Sequence, residues 1–193
     1  MQPRCFGHRV DELLLCLGGG LSLPCMAAGT DIDVGSLTVR ELLRLSARIV
    51  TELISRHVLG SRNAPAGDLA EYLVAKTYQG ELAKASAKSW DVQAGDRRLQ
   101  VKCRLVDPDS RRYESFSAFR SWEFDACVFM TLDCYTYDVV RAVEIPMASV
   151  QALAREASWV KAHVISVGQI AGPVPGARDI TDLIRCALDD LGE

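Results

Sequence analysis

Trp90-Asp91-Val92-Gln93-Ala94-Gly95-Asp96-Arg97-Arg98-Leu99-Gln100-Val101-Lys102-Cys103 is the stretch on which the reading of this chain turns. Val92, Leu99, Val101 and Cys103 alternate with Asp91, Gln100 and Lys102, the period-two pattern of strands with one side in a core. Gly95-Asp96 interrupts the alternation as a two-residue turn with glycine at its first central position. With those two residues as the turn, Ala94 faces Arg97, Gln93 faces Arg98, Val92 faces Leu99 and Asp91 faces Gln100. Opposed residues hold their Cβ atoms about 4.5–5.5 Å apart. Lys102 follows one pleat further on the same side as Gln100.

An acid, an amide and a cation thus leave one hairpin together, and each has a use in cleaving a phosphodiester. A divalent cation with oxygen ligands roughly 2.0–2.6 Å away bridges a gap of this size. Ionised Asp91 would hold Mg²⁺ or Mn²⁺. The Gln100 side-chain carbonyl, or the Val101 main-chain carbonyl, would add a neutral ligand, and Glu71 from an upstream helix would bind the metal directly or through water. Lys102 would orient or help deprotonate the attacking water and offset charge on the phosphorus. Arg98 and Arg104 on the same strand, and Arg111 and Arg112 in the loop beyond, would neutralise neighbouring phosphates. The plainer alternative makes Asp91, Gln100 and Lys102 the solvent side of an amphipathic hairpin, with Asp91 and Lys102 a surface ion pair.

Upstream, apolar residues from Val39 to Val58 recur at three- and four-residue intervals, so the spacing predicts one long amphipathic helix over 37–59 with Gly60 as its stop. Arg40, Arg44 and Arg48 mark its outer side, either a solvated surface or a phosphate contact. The apolar stripe is a candidate dimerisation surface. Residues 67–76 read as a second helix, with Asp68 near its positive end. Downstream, 124–132 is apolar enough for a strand buried on both sides, and 137–145 is a further strand. Pro146 opens a helix over 147–157. Residues 162–167 make the last strand, and 179–191 a closing amphipathic helix. Strands and helices in this order describe an α/β domain with a central mixed sheet flanked by helices.

Asp91, eight residues, then Gln100-Val101-Lys102, preceded by a helix bearing Gly67-Asp68-Leu69-Ala70-Glu71, resembles the active-site layout of the restriction-endonuclease-like, or PD-(D/E)xK, phosphodiesterase superfamily. The resemblance spans about residues 67–167. It implies a core of order αβββαβ, with the 37–59 helix as an N-terminal addition, and a Mg²⁺-dependent endonuclease acting on nucleic acid, DNA above all. Trp90 stands where the family's motif has proline, and Gln100 where it usually has an acid. Some active members resemble this chain in using glutamine there. A binding domain of the same fold, with weak or no catalysis, is the alternative that Gln100 raises.

Composition agrees with one soluble domain over 37–193. The chain has 193 residues, 49% hydrophobic and 24% charged, with a formal charge of −3, which excludes disorder and a membrane bundle. Charge is unevenly spread, +3 over 95–122 and −6 over 123–193, so a phosphate-facing side would centre on the hairpin and its loop. Tyr113, Phe116, Phe119 and Trp122 in that loop are either base-stacking groups or core. Asp125 and Asp133 are expected to cap the ends of the buried strand. Seven cysteines, odd in number and without CxxC spacing, argue against disulfides or zinc and for a reducing cytoplasm. Residues 1–36 read as a poorly ordered extension. Their apolar run is preceded by Asp11 and Glu12 and broken by Gly18-Gly19-Gly20, unlike a signal peptide.

Overall fold

The computed structural model describes residues 33–62, 65–83, 89–107, 109, 114–157 and 162–191. The chain divides into two units, 1–37 and 38–193. In the first, most of the expected extension lies outside the described residues. Its end forms a single 3-10 turn, Val34–Ser36, in which the Asp33 carboxylate accepts the Gly35 N–H.

The second unit begins with α1 (Val39–Ser55), shorter than the expected 37–59. Thr38 and Glu41 form a reciprocal capping box at its start. At its end the chain turns left-handed at His57, φ 59°, so the helix stops well before Gly60. α2 (Pro65–Tyr78) has proline in its first turn, where the missing N–H is not needed. Its Asp68 accepts the N–H groups of Gly60 and Ser61 at 3.1 and 2.6 Å and so ties the incoming loop to the helix.

Gly80 lets the chain leave α2 directly against the sheet. A Cβ there would meet the Gln93 carbonyl oxygen at 2.6 Å. β1 (Glu81–Leu82) follows, too short to show a period. Next come β2 (Val92–Ala94) and β3 (Arg97–Val106), joined through Gly95 at φ +59°. The pairs Val92 with Leu99, Gln93 with Arg98 and Ala94 with Arg97 reproduce the expected register.

β4 (Ala126–Asp133) is buried along almost its whole length and runs parallel to β3. β5 (Val139–Pro146) returns antiparallel. α3 (Met147–Leu153) is shorter than expected because Ala154 is already extended. Residues 155–157, expected to be helical, form β6 (Arg155–Ala157), which pairs with β7 (Ala162–Val164) in a separate two-stranded sheet. The expected last strand over 162–167 therefore does not join the central sheet. Its end is instead α4 (Val167–Ala171), started by a capping box of Ser166 and Gln169. β8 (Arg178–Asp179) and α5 (Thr181–Asp189) complete the unit.

The central sheet is mixed, with six strands in the order β1-β2-β3-β4-β5-β8. No helix is described in the 107–125 connection between the parallel strands, and α3 follows β5, so the element order differs from αβββαβ.

Alternation along β4 sends Val128 and Met130 to one layer, where they meet Leu69, Leu73 and Val74 of α2 and Ile184 of α5. It sends Cys127 and Phe129 to the other, with Phe116, Phe124, Val150 and Ile165. At the end of α2 the Tyr78 hydroxyl donates to Glu144 of β5, which also takes the Arg97 guanidinium at 2.5 Å. Glu144, although desolvated, is thereby held below the usual carboxylate range. Among the described residues no helix is long and apolar enough to cross a membrane, and Cys103, Cys127, Cys134 and Cys186 are free thiols.

Candidate functional site

Asp91 stands just before β2, where its own N–H donates to Leu99 and its carbonyl accepts from Ala83. Its side chain turns to β3. One carboxylate oxygen accepts both the Gln100 amide and, at 2.7 Å, the Val101 N–H. In an extended strand the N–H and C=O of one residue leave the same edge, so the Val101 carbonyl belongs to the Asp91 side as well. The strand pairing ends at Val92 with Leu99, so Asp91 does not face Gln100 as a strand partner; it meets Gln100 through its side chain. It is the amide nitrogen of Gln100 that meets Asp91, and its carbonyl would reach a shared cation after a half-turn of the amide.

Lys102 does not pair with Asp91. Its ammonium lies 4.9 Å from the Phe119 ring centroid and 3.5 Å from the Ala118 carbonyl, so the aromatic face steadies it from below. This arrangement replaces the surface ion pair of the plainer reading. Asp91 and Lys102 are both only partly exposed.

Glu71 comes from the middle of α2, between the buried pair Leu69 and Ala70 and the buried Leu73. Burial, then the charges of Asp91 and Asp68, push its carboxyl up to about 7, against a smaller opposing effect of Lys102. Burial also raises Asp91, partly offset by the Val101 N–H, by Lys102 and by Gln100. Glu71 thus feels the charges of Asp91, Asp68 and Lys102, and Asp91 that of Lys102, the one ammonium among them.

This has a measurable consequence. Glu71 has a folded pKa raised above its unfolded value, so its favourable contribution is complete below about pH 4.5 and is lost as pH rises through about 7. Glu71→Gln should leave stability unchanged near pH 4. At pH 8 it should raise stability by about 1–2 kcal/mol, after allowance for solvent screening of a half-buried group. Denaturant melts of both proteins across that range check it, and equal pH profiles would remove Glu71 from the buried cluster.

The expected phosphate-binding arginines fare differently. Arg98 lies 5.4 Å from the Trp90 ring centre and 3.7 Å from Asp125. Arg104 pairs with Glu114 at 3.0 Å. Each is already held by an acid. Arg111, Arg112 and Tyr113 lie outside the described residues.

Phe116 and Phe119 are buried and so belong to the core, not to a base-stacking surface. Trp122 is half-buried and stacks on Phe119 at 5.2 Å. Asp125 caps the start of β4 by accepting the Arg98 N–H, and Asp133 closes a turn by accepting those of Tyr135 and Thr136. Residues 121–123 add a tie between Ser89, Ser121 and Glu123 that fixes the chain beside Asp91.

Cys127, whose apolar run reads as that of a small buried hydrophobe, is opposite Gln100 in the parallel pairing and feels the charges of both Lys102 and Asp91. Burial pushes its thiol well up, so it acts as a small apolar neighbour. The sequence cue was the apolar run around it, but the parallel register that brings it to Gln100 has no local signature.

The donor set is chemically suited to a hard dication: two carboxylates pushed toward protonation, Asp91 by burial and Glu71 by burial and then by the charge of Asp91, with an amide, a main-chain carbonyl and one ammonium. No cluster of three or more histidine, cysteine or acidic side chains with metal-holding geometry occurs among the described residues. Two carboxylates with neutral oxygens fall below that count. Compared with known proteins, the chain matches no protein-family model and no curated protein. What the fold defines is thus an α/β unit on a mixed six-stranded sheet, with a partly buried acid–amide–ammonium group at its hairpin.

Proposed function

We propose that the protein is a metal-dependent nuclease that hydrolyses phosphodiester bonds in nucleic acid, with DNA as substrate. The observation that supports this most is the partly buried Asp91 carboxylate held against the Gln100 amide and the Val101 N–H, on the strand that also carries Lys102, with Glu71 near enough to feel the Asp91 charge. Negative charge held partly buried in this way is unfavourable for folding and favourable for holding Mg²⁺ or Mn²⁺. Asp91 and Glu71, with the Val101 carbonyl and a rotated Gln100, would hold the ion. When bound, it supplies a Lewis acid and lowers the pKa of a coordinated water.

The chain's own groups do the rest. Lys102, steadied on Phe119, directs its ammonium at the attacked phosphate, orients the water and neutralises charge that grows on the phosphoryl oxygens. The proton that the attacking water gives up passes to solvent, with Lys102 orienting the water. Water oxygen bonds to phosphorus, the ester oxygen departs, and a proton from solvent converts it to a hydroxyl. Arg98 next to the hairpin meets the flanking phosphate by exchanging Asp125 for it.

A second reading follows from one observation, the neutral Gln100 amide facing Asp91. In it the domain binds nucleic acid or a protein without cutting. Purified full chain incubated with supercoiled plasmid and millimolar Mg²⁺ or Mn²⁺ separates the two. Nicking is expected, and Lys102→Ala should lower its rate at least ~100-fold while the protein still binds Mn²⁺. Plasmid retained on a gel but left intact with either metal would support the binding reading against the nuclease.

A further inference from the structure

α1 is an amphipathic helix that its own unit covers only in part. Val50, Leu53 and Ile54 near its end pack against the core. Toward its start Val39, Leu43 and Ile49 are 74%, 68% and 50% exposed. Apolar residues on such a wide arc require burial from two directions, and one direction is open. Beside that open side runs an apolar groove of about 610 Å³, with Leu45 and Ile49 on its α1 wall and Tyr137, Leu188 and Leu191 opposite. An apolar depression of this extent on a soluble chain marks a place for something else to dock.

Charge says what kind of partner fits. Arg48 and Arg56 edge the α1 side of the groove, Arg56 being paired with Glu52 at 2.8 Å. On the far side exposed Asp189 and Asp190 stand between the lining leucines Leu188 and Leu191, with Asp190 paired to Lys76 at 3.6 Å. The matching occupant is a helix with an apolar stripe bordered by arginine, able to turn that arginine to Asp189. The chain itself carries such a helix in α1.

We propose that a second copy of this chain closes the groove, each copy laying its α1 into the groove of the other about a two-fold axis. The symmetry makes every contact reciprocal. Leu42 and Ile49 of each copy enter the other's groove, and Arg48, which borders this stripe, approaches Asp189 of the other. Exposed Val39 and Leu43 are covered in the same step. The dimer does not depend on the nuclease reading.

Size-exclusion chromatography with light scattering on the full chain at micromolar concentration tests it. The wild-type protein should show twice its 21.1 kDa, and Ile49→Glu should show a single chain with unchanged circular dichroism. If Ile49→Glu does not fold, Leu43→Glu at the more exposed position should give the same result. Asp189→Arg should weaken the dimer several-fold, and adding Arg48→Glu should restore it. A single-chain mass for the wild-type protein would overturn the proposal, including the case in which the groove takes up an apolar dye or a phospholipid vesicle instead. Persistence of the dimer in both glutamate variants would overturn it equally.

Discussion

Asp91→Ala should reduce metal-dependent plasmid cleavage by a thousandfold or more, a loss of about 4 kcal/mol in transition-state stabilisation, with the fold intact. The size follows from what one carboxylate does here. It is the acid that receives the Gln100 amide and the Val101 N–H, and the only carboxylate that β2 and β3 bring to this place. Without it Glu71 alone would face the cation. Stability should change little, because two effects oppose. Burial already disfavours the ionised form of Asp91, so its removal relieves an unfavourable charge, while the Val101 N–H loses its acceptor at a cost of about 1–3 kcal/mol. Asp91→Asn separates these effects: the amide oxygen still accepts the Val101 N–H, but the charge is gone. Cleavage should vanish in both variants. Activity in either within tenfold of the parent would remove Asp91 from the chemistry.

Phe129→Ala should have the largest effect on stability, about 3–5 kcal/mol. Phe129 is fully buried at 0% exposure in the middle of β4. Its ring meets Phe116 edge-on at 5.0 Å and Phe119 at 6.1 Å, and such aromatic pairs add about 0.5–1.5 kcal/mol beyond area alone. Typical domains have only about 5–15 kcal/mol in total, so the variant should be folded in cool buffer and largely unfolded at modest urea. Lys102 rests on Phe119, so cleavage should also fall by more than the folded fraction explains. Urea titration should show a lower midpoint with an unchanged slope. A loss below about 1 kcal/mol would mean that the second layer is not packed around this ring.

Much of the hairpin was legible because a two-residue turn leaves no freedom in register. Once Gly95-Asp96 was the turn, Val92 had to face Leu99, which leaves Asp91 within side-chain reach of Gln100. β4 was legible as an apolar run, and α2 from its helical spacing. The parallel pairing of β3 with β4 was not, since it joins residues far apart in sequence through a connection without local signals. That pairing puts Cys127 beside Gln100 and Phe129 beside Lys102.

The loop after β3 was legible only in part for a related reason. Its serines and arginines look solvated, and Phe116 and Phe119 follow neither a helical nor a strand period. That left base-stacking open beside the core position they take, while Phe124 was readable in the buried apolar run. Residues 155–157 misled because Arg155-Glu156-Ala157 has helix-compatible composition, and only the extended Ala154 and the partner strand decide against it. Ser166-Val167-Gly168-Gln169, a capping-box pattern, was readable and overlooked. The acids that hold Arg98 and Arg104 lie across loops, beyond what local pattern reports.

Calorimetric titration of the full chain with Mn²⁺ at pH 8 tests the central claim most directly. One cation should bind per chain, the affinity should fall about tenfold for each pH unit below about 7 as Glu71 takes up its proton, and Asp91→Ala should show no binding heat. Absence of heat at millimolar Mn²⁺, or the same isotherm for the parent and Asp91→Ala, would contradict a metal site at this hairpin.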